Sequence, residues 1–338
     1  MNVQAVSVAI REAVSEWAAT RTLEVAVAEL ANPGELALEL ANAVRQRVEP
    51  EQLGKPLAFL HEFGFVRLTG AFEIFQLETT PEAFFPIPTS NGTVAARAAM
   101  LAFTGLLELE AISYGSENSG ELFVNLVTLP GEGIFAAKSR KNMQGHTDAV
   151  SFPPRGYKSS LFPDIAPSPD VVCLAALRNP EEVPTTVMPL AALIAALMPD
   201  QVVELKKPQF SVRSQKTFIY GTKRILGEEL VEIDVEVLLD TAEGPWIRYS
   251  HSSVDAFAEN GEAAVTALSA ACVDAAVPVA LQPGDLLFVS NRTALHGRAE
   301  VGGETGGTSR WLIRGYGLET AALTELQRYA ESPHMLFP

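Results

Sequence analysis

Leu281-Gln282-Pro283-Gly284-Asp285-Leu286-Leu287-Phe288-Val289-Ser290-Asn291-Arg292-Thr293-Ala294-Leu295-His296-Gly297-Arg298 is the stretch on which the reading of this chain turns. Its first five residues have turn chemistry. The next four are a short apolar run of strand type, so Ser290 to His296 should emerge at a strand end as a loop that presents His296. Upstream, from Glu121 onward, short apolar segments separated by Gly, Pro and Asp suggest a Greek-key or jelly-roll barrel. Stretches of helical character at residues 190–205 and 254–274 interrupt it as insertions. Nearer the start, residues 6–47 are rich in Ala, Leu, Glu and Val at helical spacing, and the break at Asn32-Pro33-Gly34 divides them into two helices. Residues 64–68 read as the first strand, 85–88 as a proline-rich loop and 94–107 as another helix. The expected organisation is an N-terminal helical segment (1–60), a β-rich domain with helical insertions (61–320) and a C-terminal tail (321–338), mainly β with flanking helices and α+β in class.

Working outward, the histidine of that stretch has partners at a distance. His146 and Asp148 in Gly145-His146-Thr147-Asp148 are two residues apart, and on an extended segment such residues point to the same side. Two neutral imidazoles and one carboxylate suit one face of an octahedral Fe(II), leaving adjacent positions open for a co-substrate and oxygen. An H-x-D tripeptide alone is common. Downstream, a glycine-rich turn leads to Arg310-Trp311-Leu312-Ile313-Arg314, the start of another strand. A guanidinium is the side chain best suited to hold a carboxylate through two parallel hydrogen bonds.

Together, H-x-D, the L-x-P-G-D-L-L-F-V-x-N-R-x-x-x-H-G-R stretch and an arginine fourteen residues past His296 resemble the Fe(II)/2-oxoglutarate-dependent dioxygenases, specifically the clavaminate synthase-like branch of the taurine dioxygenase superfamily. Tyr114-Gly115, Gly120 to Asn125, Leu129-Pro130-Gly131 and Pro169 to Arg178 extend the resemblance over roughly residues 64–317. It implies a double-stranded β-helix (jelly-roll) core. It also implies that His146, Asp148 and His296 bind Fe(II), and that Arg310 pairs with the distal carboxylate of 2-oxoglutarate, helped by Thr185 or Thr186. Arg314 matches a position that faces the substrate carboxylate, with a surface ion pair as the alternative; Glu117 and Asn125 fall near residues that contact the substrate amino group and backbone. The implied reaction consumes O2, decarboxylates 2-oxoglutarate to succinate and hydroxylates an unactivated C–H bond of a free amino acid or close derivative. Desaturation or cyclisation stays open, and Asp148 disfavours halogenation because halogenating relatives replace the carboxylate with a small residue. Outside this class, a cupin-like metal-dependent hydrolase would have no reason to place Arg310 where it stands. A noncatalytic binding protein would be expected to have lost a ligand.

Substrate identity is less legible. The segment Trp246 to Ser253 carries Ser250, His251, Ser252 and Ser253 where relatives that take basic amino acids place acids. His251 is a candidate substrate contact, with an ordinary serine-rich turn as the alternative, and Arg298 reads as a brace of the metal loop. A net charge of −16 over 338 residues argues against a broad nucleic-acid footprint and fits a small-molecule partner. The run Gly302 to Gly307 lacks the Lys-Ser/Thr and helix of a phosphate loop, and no G-x-S-x-G elbow supports a serine hydrolase. His61 and His334 lie outside the motif. Two cysteines make no disulfide framework, the apolar run 187–198 is too short to span a bilayer, and no signal peptide is evident, so a cytoplasmic location is the default.

Overall fold

The computed structural model describes residues 3–75 and 77–338 as a mixed α+β fold with several sheets. In chain order the helices are α1 (Gln4–Ala19), α2 (Leu23–Leu30), α3 (Pro33–Arg45), α4 (Pro50–Phe63), α5 (Asn91–Leu106), α6 (Ile134–Arg140), α7 (Leu190–Ala196), α8 (Pro199–Leu205), α9 (Lys216–Leu226) and α10 (Glu259–Asp274). The strands are β1 (Phe65–Leu68), β2 (Glu110–Tyr114), β3 (Val124–Val127), β4 (Met143–His146), β5 (Val171–Arg178), β6 (Thr185–Pro189), β7 (Phe210–Arg213), β8 (Val231–Val235), β9 (Leu238–Thr241), β10 (Gly244–Ile247), β11 (Val254–Ala256), β12 (Val277–Val279), β13 (Leu286–Ser290), β14 (Ala294–Arg298), β15 (Trp311–Leu318) and β16 (Met335–Leu336).

Two sheets position the site. The larger runs β1-β13-β5-β15-β2-β16, with β3 also paired to β15; the smaller runs β12-β6-β14-β4. Alternation along β5 explains how one strand serves two layers. Val172, Leu174 and Ala176 join Val187 of β6 and Leu312 of β15 in the cluster between the sheets. Val171, Cys173, Ala175 and Leu177 belong to the cluster formed with the N-terminal helices. The alanine-rich α5 is buried on almost every side because small residues let it approach both β5 and α3. Ser90 starts it with a capping box shared with Thr93. Phe103 meets Phe288 edge to face, with ring centroids 4.6 Å apart, tying α5 to β13.

The Pro283-Gly284-Asp285 turn is organised by a buried carboxylate. Asp285 accepts from Arg67 Nε at 2.9 Å, from the Gly70 amide and from the Gln282 amide, so β1 and β13 are clamped where they begin to pair. The structure corrects two readings of the sequence here. Residues 290–296 are not a loop that presents His296: a tight turn at Asn291-Arg292-Thr293, held by the Ser290 hydroxyl, leads straight into β14, and His296 lies inside that strand. Residues 6–47 form three helices, because Thr22 accepts from the Val25 amide as an N-cap and restarts the chain after α1. A third, more local difference is that residues 254–256 form β11 before the helix α10 begins. Among the described residues no helix is long and apolar enough to cross a membrane.

Candidate active site

Strands β4 and β14 pair antiparallel with His146 opposite His296, which sets the two imidazoles 4.4 Å apart between centroids. The close approach depends on Gly297, where a Cβ would fall 2.3 Å from the Met143 carbonyl oxygen and 3.0 Å from Thr186 Oγ1. Asp148 follows just beyond β4. Its carboxylate oxygens lie 3.6 Å from His146 Nε2 and 3.6 Å from His296 Nε2, and the three donor atoms fall within 4.8 Å of one another. Asn291 locks this loop by accepting from the Asp148 amide at 2.8 Å and donating to the Asp148 and Pro169 carbonyls.

The protonation states suit metal binding. Burial raises the Asp148 pKa, yet contacts with both imidazoles outweigh it and hold the carboxyl well below its usual range. Burial and the neighbouring His146 lower His296, so its ring stays neutral, as a ligand must be. His146 Nδ1 stands 2.9 Å from the Gln144 carbonyl, which orients Nε2 toward Asp148. Three buried donors converge, and the set fits Fe(II).

The triad opens onto a cleft of about 130 Å³. Arg310 and Arg314 both line it, in opposite electrostatic conditions. Arg310 has a buried Nε without a partner, and burial, reinforced by Arg298, brings its pKa down to about 9. Arg314 grips Glu117 through two hydrogen bonds of 3.1 and 2.7 Å, and Tyr316 also donates to Glu117. Burial would lower the Arg314 pKa, but Glu117 raises it above the usual value. The Arg314 Nε is left without a partner.

The other residues singled out from the sequence divide clearly. Thr185 lines the cleft, while Thr186, next along β6, falls on the other face of the strand. Asn125 is fully committed elsewhere, donating to the Ala83 and Pro86 carbonyls and accepting from Trp311 Nε1, and does not line the cleft. His251 is exposed, contacts Ser269 and lines an adjoining cleft instead. Arg298 lines the main cleft but spends its donors on the carbonyls of Ala299, Lys138 and Lys141, bracing α6. Residues not anticipated from the sequence are Lys138 on α6 and Gln215 and Thr217 at the start of α9. The basic cluster Lys138-Ser139-Arg140-Lys141, placed just before H-x-D in an acidic chain, was the available signal.

A β-sheet framework that seats two histidines and a carboxylate beside an arginine with an unpartnered Nε suits a non-heme iron oxygenase. Among relatives, the chain is 25% identical over 281 residues to L-lysine 3-hydroxylase of Catenulispora acidiphila (81% of this chain, 74% of the relative). It is 27% identical over 267 residues to L-asparagine oxygenase of Streptomyces coelicolor (77% of this chain, 72% of the relative). Similar solved structures include asparagine oxygenase with Fe(II), hydroxyasparagine and succinate, at TM-score 0.75 and 22% identity over 99% of this chain and 98% of that one. The non-heme iron oxygenase OrfP with Fe and alpha-ketoglutaric acid follows at TM-score 0.72 and 21% identity, covering 98% of both chains. No protein-family model matches. The chain is thus similar, in sequence and in fold, to amino-acid oxygenases and hydroxylases that include iron-bound structures.

Proposed function

We propose that this protein hydroxylates an unactivated C–H bond of a free amino acid or a close derivative, consuming O2 and decarboxylating 2-oxoglutarate to succinate. The observation that carries the reading is the pair of arginines on the wall of the triad's cleft, Arg310 buried and without an acid among the described residues, Arg314 half-buried and bound to Glu117. His146, Asp148 and His296 would hold Fe(II). Bound iron supplies the oxidising chemistry, coupling decarboxylation of the keto acid to transfer of an oxygen atom from O2 to carbon. Arg310 with Thr185 would take the distal carboxylate of 2-oxoglutarate, relieving an unpaired buried cation. Arg314 has a spare Nε for the α-carboxylate of an amino acid, and Glu117 accepts from its ammonium, so the pair orients the substrate backbone.

The wider organisation follows the same reading. The two facing sheets support a double-stranded β-helix core, with residues 61–320 as the catalytic unit between a helical segment at 1–60 and a tail at 321–338. Two buried free cysteines suit a cytoplasmic setting.

The test is anaerobic visible absorption on adding Fe(II) and then 2-oxoglutarate, followed by succinate release across a panel of amino acids. A metal-to-ligand charge-transfer band that needs His146 and weakens in Arg310→Ala is expected. A native, folded protein that gives no band would end the oxygenase reading.

A further inference from the structure

Lys138 stands where a substrate side chain would leave the triad. It lines both the cleft that holds His146 and Asp148 and the adjoining cleft toward Ser250 and His251. Among the described residues its ammonium has neither an ion pair nor a hydrogen-bond acceptor, and burial lowers its pKa. The carboxylates whose charge reaches it are already engaged, Asp148 by two imidazoles and Glu117 by Arg314 and Tyr316. In the adjoining cleft Glu229 faces Lys223 and Arg213 is taken by Asp255, while Lys216 adds a second unmatched ammonium.

The charge balance around the triad points the same way. Among the described residues, Lys138, Arg298, Arg310 and Arg314 line the cleft with one carboxylate, Asp148, while Glu117 pairs with Arg314 from outside the lining. Iron(II) and dianionic 2-oxoglutarate cancel each other, so the surplus positive charge persists once both are bound. An amino acid with a neutral side chain would leave it unmatched, and a basic one would add to it at the cost of burying like charges together. Resting on the function proposed above, we propose that Lys138 selects an α-amino acid whose side chain ends in a carboxylate, pairing with that carboxylate across the mouth of the adjoining cleft.

The experiment titrates the anaerobic Fe(II)/2-oxoglutarate protein with L-aspartate, L-glutamate, L-asparagine, L-glutamine and L-lysine, reading the shift of the charge-transfer band and the heat of binding. An acidic amino acid should bind about tenfold tighter than its amide, the scale of one charge-assisted hydrogen bond. Lys138→Gln should erase that ratio, and Lys138→Glu, its fold checked by circular dichroism, should turn the preference toward L-lysine. The proposal is overturned if an amide or L-lysine binds tighter to the native protein, or if Lys138→Gln keeps the preference for the acid. A band with tight binding of L-asparagine would remove this proposal and leave the oxygenase reading standing; absence of any band would remove both.

Discussion

Arg310 and Arg314 are the same residue type, four apart, one just before β15 and one in its middle, the first buried and the second half-buried on the same cleft, yet they are solvated in opposite ways. Arg314 is prepaired: Glu117 grips it with two bonds, Tyr316 steadies the acid, and the guanidinium sits 4.3 Å from the Tyr316 ring. Among the described residues Arg310 has no acid, and burial brings its pKa down to about 9. A buried charge without a counter-ion destabilises the empty protein, so Arg310 is held in place for something that arrives. Under the function proposed above, the difference would separate a site whose ligand brings the missing charge from one that takes a zwitterion by exchanging partners.

Glu117→Ala is the harshest way to break the comparison. It would leave Arg314 as uncompensated as Arg310 and should destabilise the fold by about 3–5 kcal/mol, read as a drop in the denaturant midpoint. Arg310→Leu should act in the opposite sense on the empty protein, holding or raising its stability, while weakening 2-oxoglutarate binding by roughly a hundredfold, the scale of removing one partner of a buried charge pair. Equal losses of stability in the two variants would show that the arginines are not in different electrostatic states.

A pH series sharpens the same contrast. The folded-state pKa of Arg310, about 9, lies below the 12.5 usual for a guanidinium. Between those values the unfolded chain holds the proton that the folded chain has given up. Ligand-free stability, taken as native minus Arg310→Leu, should therefore climb as pH rises through about 9, and below it the full cost of the buried charge applies. Saturating 2-oxoglutarate would pair the cation and flatten that rise. A native-minus-variant difference constant from about pH 8 to 11 would contradict the assignment.

Legibility followed the range over which each feature is determined. The convergence of the triad is legible because residue type and spacing carry the chemistry, and the pairing of β4 with β14 brings His146 and His296 together. The placement of His296 within a strand was not readable, since Asn291-Arg292-Thr293 has loop composition and its tightness depends on the Ser290 hydroxyl. Asn125 carried no local sign that it would be consumed by Trp311 and two loop carbonyls. Lys138 was visible only as part of a basic cluster; that it, rather than Arg140, lines the cleft depends on how α6 packs, with Arg140 directed to the Leu129 carbonyl.

The smallest expected effect tests the strand geometry beneath the comparison. Thr185 and Thr186 were equivalent helpers for the 2-oxoglutarate carboxylate on resemblance alone. On β6 successive side chains face opposite ways, and only Thr185 shares the cleft wall with Arg310. Thr185→Val removes one hydroxyl next to the anion at nearly constant volume and should weaken 2-oxoglutarate binding by about 0.5–1.5 kcal/mol, roughly threefold to tenfold in Kd. Thr186→Val should leave Kd unchanged, with any effect confined to packing against Gly297. Calorimetric titration of both variants decides the matter: a larger loss from Thr186 would mean that β6 presents its other face to the co-substrate, and the placement of Arg310 opposite Thr185 would have to be redrawn with it.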